Sequence, residues 1–147
     1  MPIFNPELMR QIIMDHYNTP LHKETPKDIE KYEQIRMNSE SCIDDITIFV
    51  KYENDIIVDC KFDGIACTIS TSSTDIMCDL VIGKTKKEAT NIFNQYINMI
   101  YEKEFDSDVL DEALVFINTS KQAARIKCAT LGWNGLNNIL NGEEDGK

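Results

Sequence analysis

Two neighbouring stretches constrain this chain more than anything else in it. Ile46, Ile48, Val50 and Tyr52 alternate with Thr47 and Lys51, with Phe49 out of pattern, and Ile56, Val58, Cys60 and Phe62 alternate with Asp59 and Lys61. A strand sends successive side chains to opposite faces, so a period of two predicts two strands that share one buried face. Glu53-Asn54-Asp55 between them suits a tight hairpin turn, which makes the pair antiparallel. Upstream, Ile35 and Met37 alternate with Gln34 and Arg36 and supply a third strand.

Beyond Phe62 the period changes to that of a helix. Ile69, Ser73, Ile76, Met77 and Leu80 fall on one helical face, and Gly83 is placed to end that helix. Thr85-Lys86-Lys87-Glu88 reads as a capping box, followed by the stripe Ala89, Ile92, Phe93, Tyr96, Ile97 and Ile100. A short helix is expected over 106–115 and a last one from about Ser120 to Leu140. Ahead of the strands, Asn5-Pro6-Glu7 starts a helix that Asn18-Thr19-Pro20 ends, and the polar stretch 21–31 is read as a loop. This order predicts an α+β domain: a small three-stranded antiparallel sheet with helices packed on one face. One domain over 1–140 is expected, with a polar tail over 141–147. Gly132 and Gly135 stand within the last helix, where each costs about 1 kcal/mol relative to Ala.

The formal charge is −10, which repels a phosphate backbone and argues against nucleic acid as a partner. No apolar run approaches the roughly 18 residues that a membrane span needs. The start, Met1-Pro2-Ile3-Phe4-Asn5, lacks the pattern of a signal peptide, so a cytoplasmic location is expected, where thiols stay reduced. The five cysteines are then candidates for metal binding or catalysis rather than for disulfides.

Cys42 lies in a polar stretch with Asp44 two residues on; Cys67 stands where the third strand gives way to a helix, a position whose free N–H groups favour thiolate. Cys128 falls within the last helix; Arg125, one turn before it, can share its face and would then lower its pKa, while Lys127 as the immediate neighbour points elsewhere. Cys42, Cys67 and Cys128 with Asp44 supply three thiolates and a carboxylate, enough for a tetrahedral zinc shell, although such distant segments do not specify a site by spacing. Each cysteine also has a plain structural reading, as loop, junction or core residue. Cys60 and Cys78 are read as core. His16 and His22 lie near no other ligand in sequence; His16 is read as a packing or hydrogen-bonding residue and His22 as a loop residue. The hydroxyl-rich run Thr68 to Thr74 suits close helix packing. No C-x-x-C pair, Gly-rich phosphate loop or Ser/His/Asp arrangement is present.

Three strings carry a resemblance. Ile13-Met14-Asp15-His16-Tyr17-Asn18-Thr19-Pro20, Phe62-x-Gly64-x-x-Cys67-x-Ile69-Ser70 and Arg125-Ile126-Lys127-Cys128-Ala129-Thr130-Leu131-x-Trp133 resemble the NifU/IscU-like proteins of iron–sulfur cluster assembly, and among them the SufU type. The likeness runs from about Asn5 to Leu140. It implies metal ligands at Cys42, Asp44, Cys67 and Cys128. Lys127 stands where the scaffold-type members carry His, and the stretch from about Glu102 to Ser120 has room for the extra residues of the SufU type. Departures are Ser39-Glu40 in place of Asn-Pro, Ile43 in place of Gly, and Ala66 in place of Gly.

For the SufU type the resemblance implies a zinc-dependent sulfurtransferase that takes persulfide sulfur from a SufS-type cysteine desulfurase. Cys42, held as a thiolate on zinc and displaced by a partner histidine, would attack the outer sulfur, with Arg125 steering the anion and downstream assembly proteins as recipients. Two alternatives stay open: a scaffold that builds an iron–sulfur cluster on the same ligands, and a protein in which zinc only ties the fold together.

Overall fold

The computed structural model describes residues 5–39 and 43–142. Asn5 caps α1 (Pro6–Asn18), its side-chain oxygen accepting from the Leu8 N–H at 2.7 Å, with Pro6 at the first helical position. β1 (Glu33–Asn38), β2 (Asp45–Glu53) and β3 (Ile56–Ile65) follow, then α2 (Thr68–Val81), α3 (Lys86–Ile100) and α4 (Ala123–Leu140). The sheet is antiparallel in the order β1-β2-β3. The expected fold is therefore the observed one.

The hairpin departs from simple alternation at one point. A register shift between Lys51 and Tyr52 pairs Lys51 with Asp59 but Tyr52 with Ile57. Such a bulge flips the phase of the strand beyond it. Ile57 is accordingly fully buried and Ile56 is 39 % exposed, the reverse of the expectation that put Ile56 and Val58 inside; Cys60 and Phe62 keep their inward phase.

The inner face of the sheet takes α2 against β3 and α4 against β1 and β2, with α1 on α2 and α3 on α4. The outer face is not left to solvent. Thr47, Phe49, Lys51, Asp59, Lys61 and Asp63 share it by register. The stretch read as a loop runs across it, joining Glu24 to Lys61, Thr25 to Asp63, Asp28 to Lys51 and Tyr32 to Asp59. Phe49, out of pattern in the sequence, is only 3 % exposed on this side. The same segment shields the edge of β3, the Phe62 N–H donating to the His22 carbonyl at 3.0 Å; the other end of β3 is held by Ile57 to Lys84 and Gly83 to Ile57 bonds.

The capping box over α3 forms as read, with Thr85 and Glu88 exchanging side-chain-to-backbone bonds. The short helix expected over 106–115 is instead a series of 3-10 turns, Ser107–Val109, Asp111–Phe116 and Thr119–Lys121, and α4 starts at Ala123 rather than Ser120. The wide apolar content of Leu110 and Ala113 to Phe116 is buried without a helical period.

Ser70 to Cys78 are all buried, so α2 is enclosed on every side rather than along one stripe. Its small hydroxyl residues allow that approach, and Ser73 does more. The Trp133 Nε1–H donates to Ser73 Oγ at 3.0 Å, and the Ser73 hydroxyl donates to the Ala129 carbonyl at 2.7 Å. The Tyr96 hydroxyl donates to the same carbonyl at 2.8 Å, its ring stacked on Trp133 with centroids 3.9 Å apart. This dry polar junction joins α2, α3 and α4. Ser73→Ala leaves the Trp133 N–H without its acceptor, and we expect a loss of about 1–3 kcal/mol, read as a lower urea midpoint with an unchanged slope.

Candidate metal centre

Asp44 sits one residue before β2, where the chain enters the sheet, and its side chain is 1 % exposed. Such a carboxylate must be bonded or neutralised. Its Oδ1 accepts from the Cys67 backbone N–H at 2.7 Å, and the Cys67 thiol lies 3.6 Å from Oδ2. Cys67 is the N-cap of α2, extended in backbone, with Sγ accepting from the Ser70 N–H at 3.4 Å. This is the helix-start environment expected for it, and it favours negative charge on sulfur.

Cys128 comes in from the second turn of α4. Its sulfur, the Cys67 sulfur and an Asp44 oxygen all lie within 4.8 Å of one another. Three elements distant in sequence thus converge on one point. Cys42 lies outside the described residues; Ile43 is 71 % exposed beside the buried Asp44.

The electrostatics correct one expectation. Arg125, on the face of Cys128, was expected to draw its thiol down. Burial pushes it up instead, and the Cys67 sulfur and Asp44 carboxylate add to the effect. The groups that bear on Cys128 are the Cys67 sulfur and the Asp44 carboxylate, and no cation is among them. A carboxylate and two thiols crowded together in a half-buried place repel one another's charges. A soft divalent cation removes that conflict, because it deprotonates thiols and neutralises the cluster. The donor set fits zinc or the iron of a cluster, both of which thiolates hold. Arg125 lines the same open groove as Cys67 and Cys128, together with Met9, Arg10 and Ile13 from α1.

Gly64 lets β3 reach this site. Its φ is +128°, which L side chains rarely adopt, and a Cβ there would meet the Asp45 carbonyl and stand 3.0 Å from the Ile46 Cα. Gly64 pairs with Ile46 in the β2–β3 ladder, close in sequence to both Asp44 and Cys67. Cys60 and Cys78 are fully buried with sulfurs 3.3 Å apart, away from the centre, as core residues.

His16 is a hydrogen-bonding residue, as read, and both histidines face carboxylates that the sequence did not point to. His16 Nδ1 faces Asp75 Oδ2 at 2.6 Å and Nε2 faces Glu112 Oε1 at 2.8 Å; His22 Nε2 faces Asp79 Oδ1 at 2.6 Å. The Asp75 hydrogen bond, outweighing burial and assisted by Glu112, raises the His16 pKa to about 9. No local signal could have found these pairs, since their partners lie 57 to 96 residues away.

A three-stranded sheet backed by helices, with an aspartate and two cysteines meeting at a strand entry, a helix N-cap and a helix interior, defines a small α+β protein with a candidate soft-metal centre. The chain matches the NifU-like N-terminal domain over residues 8–136. It is 36 % identical over 140 residues to the zinc-dependent sulfurtransferase SufU of Bacillus subtilis (strain 168), covering 95 % of this chain and 93 % of that one. It is 35 % identical over 134 residues to the iron–sulfur cluster assembly scaffold protein IscU of Streptococcus pyogenes serotype M1, covering 90 % and 82 %. The crystal structure of a putative iron–sulfur cluster assembly scaffold protein for the SUF system from Fervidobacterium islandicum AW-1 superposes with a TM-score of 0.81 at 35 % identity, over 88 % of this chain and 94 % of that one. The chain belongs to the NifU/IscU-like family of iron–sulfur cluster assembly proteins. No helix among the described residues is long and apolar enough to cross a membrane.

Proposed function

We propose that this chain is a sulfur acceptor of the SufU type, taking persulfide sulfur on Cys42 from a SufS-type cysteine desulfurase and passing it to iron–sulfur cluster assembly. The convergence of Asp44, Cys67 and Cys128 within 4.8 Å supports this reading most directly. With Cys42 they complete a three-thiolate, one-carboxylate shell. Lys127, in place of the histidine of scaffold-type members, supports the branch.

Zinc bound by these four side chains would hold thiolates without redox chemistry of its own. The rest falls to the chain. Asp44, Cys67 and Cys128 stand on the sheet entry and on two helices, so they form the fixed part of the shell. The Cys42 thiolate attacks the outer sulfur of the donor persulfide. One S–S bond forms on Cys42, the donor's S–S bond breaks, and the donor cysteine leaves as thiolate, with no net change of oxidation state. Arg125, on the groove beside Cys128, attracts the persulfide anion.

The test is desulfurase turnover with cysteine and reductant but no iron. Wild-type protein should stimulate it strongly, Cys42→Ala should not, and Arg125→Ala should stimulate less at unchanged zinc content. No stimulation by folded, zinc-loaded wild type overturns the proposal. The near-equal identity to a scaffold protein favours one second reading, cluster building on the same ligands. That reading predicts a stable absorbing cluster on reconstitution with iron and sulfide, and no effect on iron-free turnover.

A further inference from the structure

We propose a second cation site, for a zinc-like divalent ion held by His16, Asp79 and Glu112. One ring nitrogen of His16 and one oxygen from each carboxylate lie within 4.8 Å of one another. They come from the last turn of α1, the last turn of α2 and the 3-10 turn Asp111–Phe116. The site shares no residue with the cysteine centre. Asp75 and Asp79 follow Cys67 by eight and twelve residues. At the helical rise these lie about 12 and 18 Å along α2 from its N-cap.

The surroundings resemble a built ligand set rather than a chance meeting of surface charges. Asp75 is fully buried directly behind His16, its Oδ2 at 2.6 Å from Nδ1 and its Oδ1 accepting from the His22 backbone N–H at 2.9 Å. A carboxylate behind a histidine fixes the ring and places the proton on Nδ1, leaving the other nitrogen to face a metal. That other nitrogen, Nε2, is joined to Glu112 Oε1 at 2.8 Å by a proton whose place a cation would take. Binding a cation there releases the Nε2 proton. His22 Nε2, 2.6 Å from Asp79 Oδ1, holds the third ligand from behind.

Access and charge agree. The Asp79 and Glu112 side chains are 38 % and 40 % exposed, against 11 % for His16. A cation therefore enters from solvent onto a ring held from the inside, with water completing its shell. One nitrogen and two oxygens suit zinc and its first-row neighbours better than calcium or magnesium, which take oxygen alone. Such an ion would pin α1 and the 3-10 segment to α2.

Cobalt(II) titration of the full, metal-free chain distinguishes the sites. Cobalt on thiolates absorbs strongly in the near ultraviolet through sulfur-to-metal charge transfer, and cobalt on nitrogen and oxygen does not. Wild type should bind two equivalents, only one of them with the charge-transfer band. Asp79→Asn and Glu112→Gln, both substitutions of partly exposed side chains, should each lose the silent equivalent while keeping the band and the far-ultraviolet spectrum. A single equivalent in wild type overturns the proposal. So does a second equivalent that survives both substitutions.

Discussion

Cys128→Ser is expected to weaken zinc binding by more than the roughly 10–100-fold typical of losing a residue that merely supports a ligand, because here a ligand itself goes. A competition titration against a chromophoric chelator reads the affinity directly. The serine oxygen fits the space but is not a thiolate at neutral pH, so a shell of three sulfurs and one oxygen becomes one of two sulfurs with a poor fourth donor. The buried Asp44 would then lack part of its neutralising partner. We therefore expect stimulation of the desulfurase to fall to background in the same variant. Affinity within a few-fold of wild type would remove Cys128 from the ligand set, and with it the four-residue centre.

Gly132→Ala is expected to destabilise the protein, against the helix scale. Propensity alone favours alanine by about 1 kcal/mol in a helix interior. The structure reverses the sign. A Cβ on Gly132 would clash with Thr74 Oγ1 and stand 2.8 Å from its Cγ2 and 3.0 Å from its Cβ. The last of these belongs to the root of a buried side chain on α2 and cannot swing aside. Relief requires α4 to move off α2, at the roughly 1–3 kcal/mol of an overpacked core. The net expectation is a loss of up to about 2 kcal/mol, measured by urea unfolding. Thr74→Ala removes two of the three obstructing atoms, so the double variant should recover much of the loss. A stabilised Gly132→Ala, or a cycle with no coupling, would mean that the two helices do not approach this closely.

The sequence made some of this plain and hid the rest for identifiable reasons. Strand alternation, the Asn5 cap and the Thr85–Glu88 capping box are local patterns, and each stands where the local pattern put it. The phase at the start of β3 was lost because a single bulge between Lys51 and Tyr52 shifts Ile56 and Ile57 against the rest of the strand, and nothing in the alternation marks that bulge. The segment over 106–121 carries enough apolar residues for a helix, but those of the turn Asp111–Phe116 fill space against α2 and α1 instead. Asp44, Cys67 and Cys128 were recognisable as ligand types and through their motifs. Their convergence was not, because it depends on the Gly64 crossing and on how α4 lies on α2. Gly132 and Gly135 looked like costs to α4. They are contact points instead: a Cβ on Gly135 would stand 2.8 Å from Met37 Cγ and 2.9 Å from Ile48 Cγ1 on the sheet. The carboxylate partners of His16 and His22 lie on other elements altogether, so only the folded chain reveals them.

α2 begins at Cys67 and carries Asp75 and Asp79 near its other end, where each meets an imidazole. His16 and His22 are the chain's whole complement of histidine. Its proton magnetic resonance spectrum therefore contains two sets of imidazole signals, both from rings hydrogen-bonded to this one helix. A helix is stiff along its axis, so a shift of α2 would change the length of those bonds. The two rings are thus native reporters of the position of α2, readable without a label.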